Sequence, residues 1–208
     1  MKRPPTPGNA NTASPVGSTD GRRERSRSSR GKIVAAMIEL VRSGDTAPQA
    51  ARVAEVAGLG VRSVFRHFED METLYREMGE AVAEQVRPIV LQAPVGETWK
   101  DKLFDIAKRR AIIFETILPF RVSASLRRFQ SPYLMEDYNR LLALEFASVT
   151  AQLPPTVANQ ETLRHSLFLV LGFQSWRALR HDHQLSPEAA SAVVNDLLTS
   201  LLSALPDK

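Results

Sequence analysis

The chain has 208 residues, of which 43% are hydrophobic, and a formal net charge of +4 at pH 7. It is therefore long enough to bury a core and to form one or two domains. It contains no cysteine, which excludes disulfides and thiolate metal sites and fits a cytoplasmic protein. No segment approaches the roughly 18 consecutive apolar residues of a membrane span, and we expect neither a signal peptide nor a membrane partner.

Basic residues are concentrated near the amino terminus. Residues 1–32 contain eight Lys and Arg against two Asp and Glu, a charge of +6 that leaves −2 for the rest of the chain. Residues 1–24 are rich in Pro, Ser, Thr, Gly and Asn, a composition typical of disorder. We therefore expect a disordered arm over 1–24, which is either an inert tail or a segment that contacts a polyanion.

Helical periodicity begins near Arg30, and a first helix is expected to end at Gly44. The segment 49–74, QAARVAEVAGLGVRSVFRHFEDMETL, then indicates two short helices around a turn at Gly58. This layout is a helix-turn-helix, whose second helix enters the major groove of DNA. Its expected apolar framework consists of Val53, Ala54, Ala57, Leu59, Val64, Phe65 and Phe68.

Seven polar side chains in and around this unit are the predicted DNA contacts. Arg62 and Arg66 lie four residues apart on one helix face, and arginine either reads guanine through a bidentate contact or holds a phosphate. Ser63 suits a base edge or a phosphate, whereas His67 is expected at a phosphate or packed at the helix end. The alternative for each of these side chains is a solvent-exposed position without a contact to DNA. The full set is Lys32, Gln49, Arg52, Arg62, Ser63, Arg66 and His67.

The remainder of the chain also shows only helical periodicity. We predict an all-α fold of about nine helices, with a three-helix DNA-binding domain over 25–76 and a larger helical domain over 77–208. Asp70 should cap the helix that follows the helix-turn-helix, and Pro88 and Pro119 should each end a helix. The predicted helices beyond the helix-turn-helix cover 71–86, 98–118, 122–129, 132–153, 160–181 and 187–205.

The last two predicted helices have wide apolar surfaces. The helix over 160–181 is apolar nearly all round between Leu163 and Trp176, and such a helix must be covered on every side. A second copy of the chain is the simplest cover, through a four-helix bundle; the alternative is a monomer whose other helices bury everything. The predicted dimer interface consists of Leu167, Trp176, Val194, Leu197, Leu198 and Leu201.

Aromatic residues of the larger domain either form ordinary core or line an apolar cavity for a small hydrophobic effector. Three arginines nearby, at positions 121, 127 and 128, either pair with an acidic group on that effector or form a solvated basic face. The predicted lining residues are Phe104, Phe114, Ile117, Phe120, Phe129, Tyr133, Tyr138, Phe146 and Phe173.

No motif in the chain points to catalysis. A nucleophile motif, a Gly-rich phosphate loop and an HExxH pattern are all missing from the sequence. We place His181, Asp182 and His183 in an exposed loop rather than at a metal. The expectation is therefore a protein that is not an enzyme and holds no cofactor and no metal.

The span 30–77 resembles the DNA-binding domain of the TetR family of bacterial transcription regulators. The resemblance is carried by IVAAMIELVRSG over 33–44, VAEVAGLGVRSVFRHF over 53–68 and EDMETL over 69–74. It implies a homodimer, a palindromic double-stranded DNA operator and a regulatory domain with an effector. The chain departs from the family pattern, losing helix caps or phosphate contacts, at Pro48, Gly60, Phe65 and Met71.

The sequence thus predicts a dimeric transcription regulator, a repressor released by a small hydrophobic effector. Two alternatives stay open: a DNA-binding protein with little sequence preference, and a helical interaction module that has lost operator binding. The ratio of specific to non-specific affinity at physiological salt distinguishes the first alternative from a sequence-specific regulator. Complete absence of salt-dependent DNA binding would favour the second.

Overall fold

The structure, a computed structural model, describes residues 18–207, with side chains described from residue 23 onward. These residues form ten α-helices and no strand, which confirms the all-α fold class. A 3₁₀ turn at Arg128–Gln130 and a π-helical turn at Ala178–Asp182 interrupt the series. The helices are α1 (Ser18–Arg42), α2 (Ala50–Val56), α3 (Val61–His67), α4 (Met71–Val90), α5 (Trp99–Ser125), α6 (Pro132–Thr150), α7 (Pro155–Ala158), α8 (Glu161–Leu171), α9 (Phe173–Arg177) and α10 (Pro187–Leu202).

Helix α1 begins earlier than the composition indicated. Disorder was expected through residue 24, but α1 is continuous from Ser18, and only residues 1–17 of the expected arm lie outside the described residues. Its later turns pack on the core from Ile33 onward. Once a helix is nucleated in this way, each further residue adds a hydrogen bond, and arginine is a good helix former.

Two prolines lie inside helices that they were expected to end. Pro88 is in the last turn of α4 and Pro119 is inside α5. A proline removes one helical hydrogen bond and costs about 3 kcal/mol in a helix interior. Two α5 side chains beyond the proline are buried, with Phe120 4% and Ser123 0% exposed, and this packing offsets the cost. The short helix expected over 122–129 is therefore largely the end of α5.

The single helix expected over 160–181 is divided at Gly172. The backbone there is extended, with φ −83° and ψ 156°, and separates α8 from α9. A Cβ on this residue would lie 2.8 Å from the carbonyl oxygen four residues earlier, so glycine suits the close approach. The carboxylate of Glu145 accepts the N–H of Phe173 at 3.1 Å, and the buried Arg110 donates to the carbonyl of Leu171 at 2.7 Å. These two contacts satisfy backbone groups freed by the break.

Two hydrophobic clusters organise the helices. The first cluster lies among α1 to α4 and extends to Met78 and Val82, beyond the domain boundary predicted at residue 76. It also includes Phe120 from α5 and Leu134 from α6. The second cluster joins α5 to α8, α9 and α10. Because α5 contributes to both clusters, it connects the amino-terminal helices to the rest of the chain. Within residues 18–207, no helix combines the length and apolar character needed to cross a membrane.

Candidate nucleic-acid interface

The turn between α2 and α3 depends on a glycine. Gly58 has φ 66°, a left-handed conformation that other residues rarely adopt. Its N–H donates to the carbonyl of Glu55 at 3.0 Å, and the N–H of Leu59 donates to the carbonyl of Ala54 at 2.9 Å. This pair of bonds is a Schellman motif, which satisfies the last carbonyl groups of α2. Helix α3 then begins directly after Gly60, as a helix-turn-helix requires.

Helix α3 has one buried face and one exposed face. Val64 and the following Phe68 are each 1% exposed and hold α3 on the first cluster. The opposite side contains no acidic residue and mixes two guanidinium groups with apolar side chains. We call this surface the reading face; it consists of Val61, Arg62, Phe65 and Arg66, all exposed.

The expectation that Phe65 is a core residue is wrong, since 52% of it is exposed. Val64 and Phe68 are four residues apart and already occupy the inward face of α3. Phe65 instead shares the outward face with Arg62, three residues earlier. That spacing is the signal by which the sequence could have identified Phe65 as a candidate DNA contact.

The other predicted DNA contacts lie at the surface and differ in exposure and in their contacts with neighbouring side chains. Lys32 and Gln49 are exposed. Arg52 is exposed but forms an ion pair with Glu55, with 2.7 Å between Nη1 and Oε2, so a phosphate would compete with that carboxylate. Ser63 is half-buried, and its hydroxyl lies 3.4 Å from the guanidinium of Arg66 at the edge of the reading face.

His67 is packed at the end of α3 rather than projected from it. Its Nε2 atom is buried and has no hydrogen-bond partner. Burial lowers the pKa of the imidazole below its ordinary value, and the positive charges of Arg66 and Arg30 lower it further. A neutral imidazole follows at physiological pH, so His67 does not add a positive charge to the interface.

Arg30 fastens the end of α3 to its neighbours, a role that the sequence analysis missed. Its Nε atom lies 2.8 and 3.0 Å from the two carboxylate oxygens of Glu77 in α4. Its guanidinium also donates to the carbonyl of His67 and lies 4.3 Å from the ring centroid of Phe68. Arg30 and Glu77 are 47 residues apart in the chain, and no local pattern signals their contact.

A cavity of about 360 Å³ lies beside the end of α5 and is walled by α5, the 3₁₀ turn, α6 and α9. Of the nine predicted lining residues, Phe129, Tyr138 and Phe173 do line it. The others pack elsewhere, because helical periodicity does not distinguish a cavity wall from ordinary core. Phe104, Phe114, Ile117, Phe120 and Tyr133 lie in or against the two clusters, and Phe146 packs on Phe168 with 5.2 Å between ring centroids.

The three arginines, for which an effector contact and a solvated basic face were both considered, are half-buried and lie against aromatic rings. Arg121 and Arg128 line the cavity, and Arg127 lies 5.4 Å from the ring centroid of Tyr75. His181 is exposed at the cavity rim. Among the side chains that the structure describes, those of residues 23–207, there is no group of His, Asp and Glu that could hold a metal ion.

Four of the six predicted interface residues are covered by their own subunit. Leu167, Trp176, Val194 and Leu198 are at most 7% exposed and belong to the second cluster, so in this structure they are core residues. A helix that looks apolar all round does not show from the sequence which side faces its own domain. Leu197 is 48% exposed and Leu201 is half-buried, while Leu169, which was not predicted, is 65% exposed.

The cavity and the helix-turn-helix meet through the end of α5. Ser123 donates to the carbonyl of Thr46, in the loop between α1 and α2, at 2.7 Å. Its hydroxyl also lies 3.3 Å from the hydroxyl of Tyr75 in α4. Val122 and Ala124, on either side of Ser123, line the cavity. Leu134 both lines the cavity and belongs to the first cluster.

The comparisons with known proteins agree with the fold. No protein-family model and no curated protein sequence matches the chain. Among solved structures, the chain is similar to the crystal structure of a transcriptional regulator from Rhodococcus sp. Rha1, with a TM-score of 0.66 and 17% identity. The match covers 85% of this chain and 99% of that one. At this identity the likeness shows the fold alone, and the TetR resemblance remains a prediction.

Proposed function

We propose that this protein is a transcription regulator that binds an operator as a homodimer and represses until a small molecule enters the cavity. The reading face of α3 carries the proposal. It presents Arg62, Phe65 and Arg66 on a helix held by a buried face and a glycine turn. The described function of the Rhodococcus protein, a transcriptional regulator with the same fold over most of this chain, supports the same class.

Two side chains of the reading face match chemistry found in the major groove. The guanidinium of Arg62 suits the O6 and N7 atoms of guanine, and the ring of Phe65 suits a thymine methyl group. Phosphate contacts are assigned to Lys32, Gln49 and Arg52, with Ser63 and Arg66 at the edge of the reading face. The exposed basic turns that begin α1, around Arg23 and Arg27, offer further phosphate contacts that would steepen the salt dependence.

The proposed dimer uses the exposed apolar positions of α8 and α10. Leu169 and Leu197 are 65% and 48% exposed, and large side chains exposed in this way on two adjacent helices favour association. A two-fold dimer would present two copies of α3 to half-sites one helical turn, about 34–36 Å, or a multiple of that distance apart. Such a dimer would bind a palindromic operator.

Release by a ligand is assigned to the end of α5. A ligand in the cavity would press on Val122, Ala124 and Leu134, while Ser123 holds the loop at Thr46. Displacement of this segment would therefore change how the helix-turn-helix sits on the larger domain. The ligand shifts the equilibrium only as far as it binds the released geometry more tightly.

The test uses an operator selected from genomic fragments by the purified protein, followed by gel-shift titration of Arg62→Ala. We expect specific affinity to fall about 5- to 150-fold, which corresponds to 1–3 kcal/mol for a lost bidentate base contact. Binding to random DNA should change little, and sedimentation should still show a dimer. Arg140→Ala, an exposed arginine on α6, is the matched control and should bind like the wild type.

Unchanged operator affinity in Arg62→Ala would refute the assigned role of α3. A wild-type protein that binds operator and random DNA equally would favour the low-specificity alternative. A wild-type protein with no salt-dependent DNA binding would favour the interaction module.

A further inference from the structure

The cavity beside the end of α5 combines an apolar wall with buried guanidinium groups. We propose that its ligand is a small organic carboxylate, with the carboxylate held by Arg121 and Arg128 and an apolar body against the side chains of Val122, Leu134 and Leu141. The ligand's role as an effector rests on the proposed function, but its binding does not.

Arg121 provides the central donor. Its side chain is 10% exposed and its guanidinium lies 3.9 Å from the ring centroid of Phe173. The Nη1 atom pairs with Oε1 of Glu145 at 2.5 Å, and the second oxygen of that carboxylate accepts the N–H of Phe173 at 3.1 Å. Both oxygens of Glu145 are therefore engaged, while the Nη2 atom of Arg121 is buried without a hydrogen-bond partner. A buried donor without an acceptor is unfavourable, and a ligand carboxylate at the wall would supply the acceptor once Nη2 turns toward the cavity.

Arg128 lies across the same cavity wall with a second unsatisfied donor. Its guanidinium lies 4.7 Å from the ring centroid of Phe129 and 4.1 Å from that of Tyr138. Stacking fixes the plane of the guanidinium and directs its N–H groups sideways. The Nε atom is buried and has no hydrogen-bond partner. Two arginines with oriented planes suit a flat carboxylate better than they suit a neutral amide.

The charge balance of the wall also favours an anion. Arg121, Arg128 and Arg177 line the cavity against a single acidic residue, Asp137. Asp137 is already paired with Arg140, which is not part of the wall. Arg121 and Arg177 are paired with Glu145 and Asp182, which lie outside the wall, so the unbalanced positive charge is that of Arg128. In a partly enclosed space its electrostatic interactions are stronger than in water.

The volume limits the size of the ligand. About 360 Å³ is near the lower end of the range for small-molecule sites. It fits an acid with one or two fused rings or a medium alkyl chain. Because most of the wall beyond the guanidinium groups is apolar, an inorganic anion would leave it unfilled.

Calorimetric titration of the full chain with 2-naphthoate and its neutral isostere 2-naphthamide tests the proposal. Decanoate tests the same acid group on a flexible body. We expect at least one of the two acids to bind. If naphthoate binds, naphthamide should bind at least tenfold more weakly. Failure of both acids, or equal binding of naphthoate and the amide, would overturn the proposal, as would phosphate binding as tightly as the acids.

Variants locate the site. Arg128→Gln should weaken acid binding at least tenfold, whereas Arg87→Gln, which changes an exposed arginine of α4 outside the wall, should leave it unchanged. Among residues 23–207, whose side chains the structure describes, Arg128 forms no ion pair with a carboxylate that its loss would leave unmatched, so folding should be retained. Leu141→Trp should abolish binding by filling the cavity while keeping its charge. Unchanged binding in both Arg128→Gln and Leu141→Trp would place the ligand elsewhere.

The same samples separate this inference from the proposed function. If an acid binds but operator affinity is unchanged, the ligand class stands and its role as an effector fails. If neither acid binds and Arg62-dependent operator binding is intact, the ligand class fails and the DNA-binding function stands.

Discussion

Replacing Arg30 by methionine should loosen the fastening of the recognition helix α3. The change removes an ion pair with Glu77, a charged hydrogen bond to the carbonyl of His67 and a guanidinium 4.3 Å from the ring centroid of Phe68. The two charged side chains are 39% and 28% exposed, so solvent screens them and the ion pair contributes less than about 1 kcal/mol. The ring contact adds about 0.5–1 kcal/mol and the hydrogen bond about 1 kcal/mol.

These terms total about 2 kcal/mol, which should lower the melting temperature by about 4–8 °C for a chain of this length. Urea unfolding followed by circular dichroism measures the free energy directly. Arg42→Met is the matched control on the same helix, because Arg42 is exposed, bonds to the neutral Gln85 at 3.0 Å and lies 5.7 Å from the ring centroid of Phe120. We expect it to cost about 0.5 kcal/mol.

A double-mutant cycle isolates the ion pair. Combining Arg30→Met with Glu77→Gln should give less destabilisation than the sum of the two single variants, by about 0.5–1 kcal/mol. Operator affinity of Arg30→Met should also fall, because the carbonyl end of α3 loses its anchor. If Arg30→Met is as stable as Arg42→Met and its effect adds to that of Glu77→Gln, the reasoning about this contact is refuted.

Two further variants test the backbone and a titrating group. Gly58→Ala should lower the free energy of unfolding by about 1–2 kcal/mol. The cost is conformational, since φ is 66° and a Cβ there would meet no atom within 4 Å. Gly60→Ala, with φ −77°, should be nearly neutral in the same urea titration, and equal costs would contradict the argument. His67 is held neutral because burial lowers its pKa from 6.5, so the unfolded chain takes up the proton first and stability should fall as pH drops below about 6.5. His67→Gln should flatten this fall in melting temperature between about pH 7.5 and 5.5, and an identical slope in the variant would show that another group titrates.

Local signals in the sequence were sufficient to predict the turn and several helix ends. A glycine with apolar neighbours at helical spacing located the turn at Gly58, because only glycine adopts its left-handed backbone at low cost. Asp70 and Ser186 do cap α4 and α10, accepting the N–H of Thr73 at 2.8 Å and of Ala189 at 3.2 Å. Each of these features depends on atoms within a few residues of one another.

Other features were decided only when helices distant in sequence packed together. Helix α5 continues through Pro119 because burial of Phe120 and Ser123 outweighs the local cost of the proline. Leu167 and Leu198 became core while Leu197 stayed at the surface, since composition does not show which side of an apolar helix faces its own domain. The sequence alone therefore determined the helical class and the helix-turn-helix. The cavity, its arginines and the fastening of α3 by Arg30 required the tertiary structure, because they join residues whose separation along the chain hides their contact.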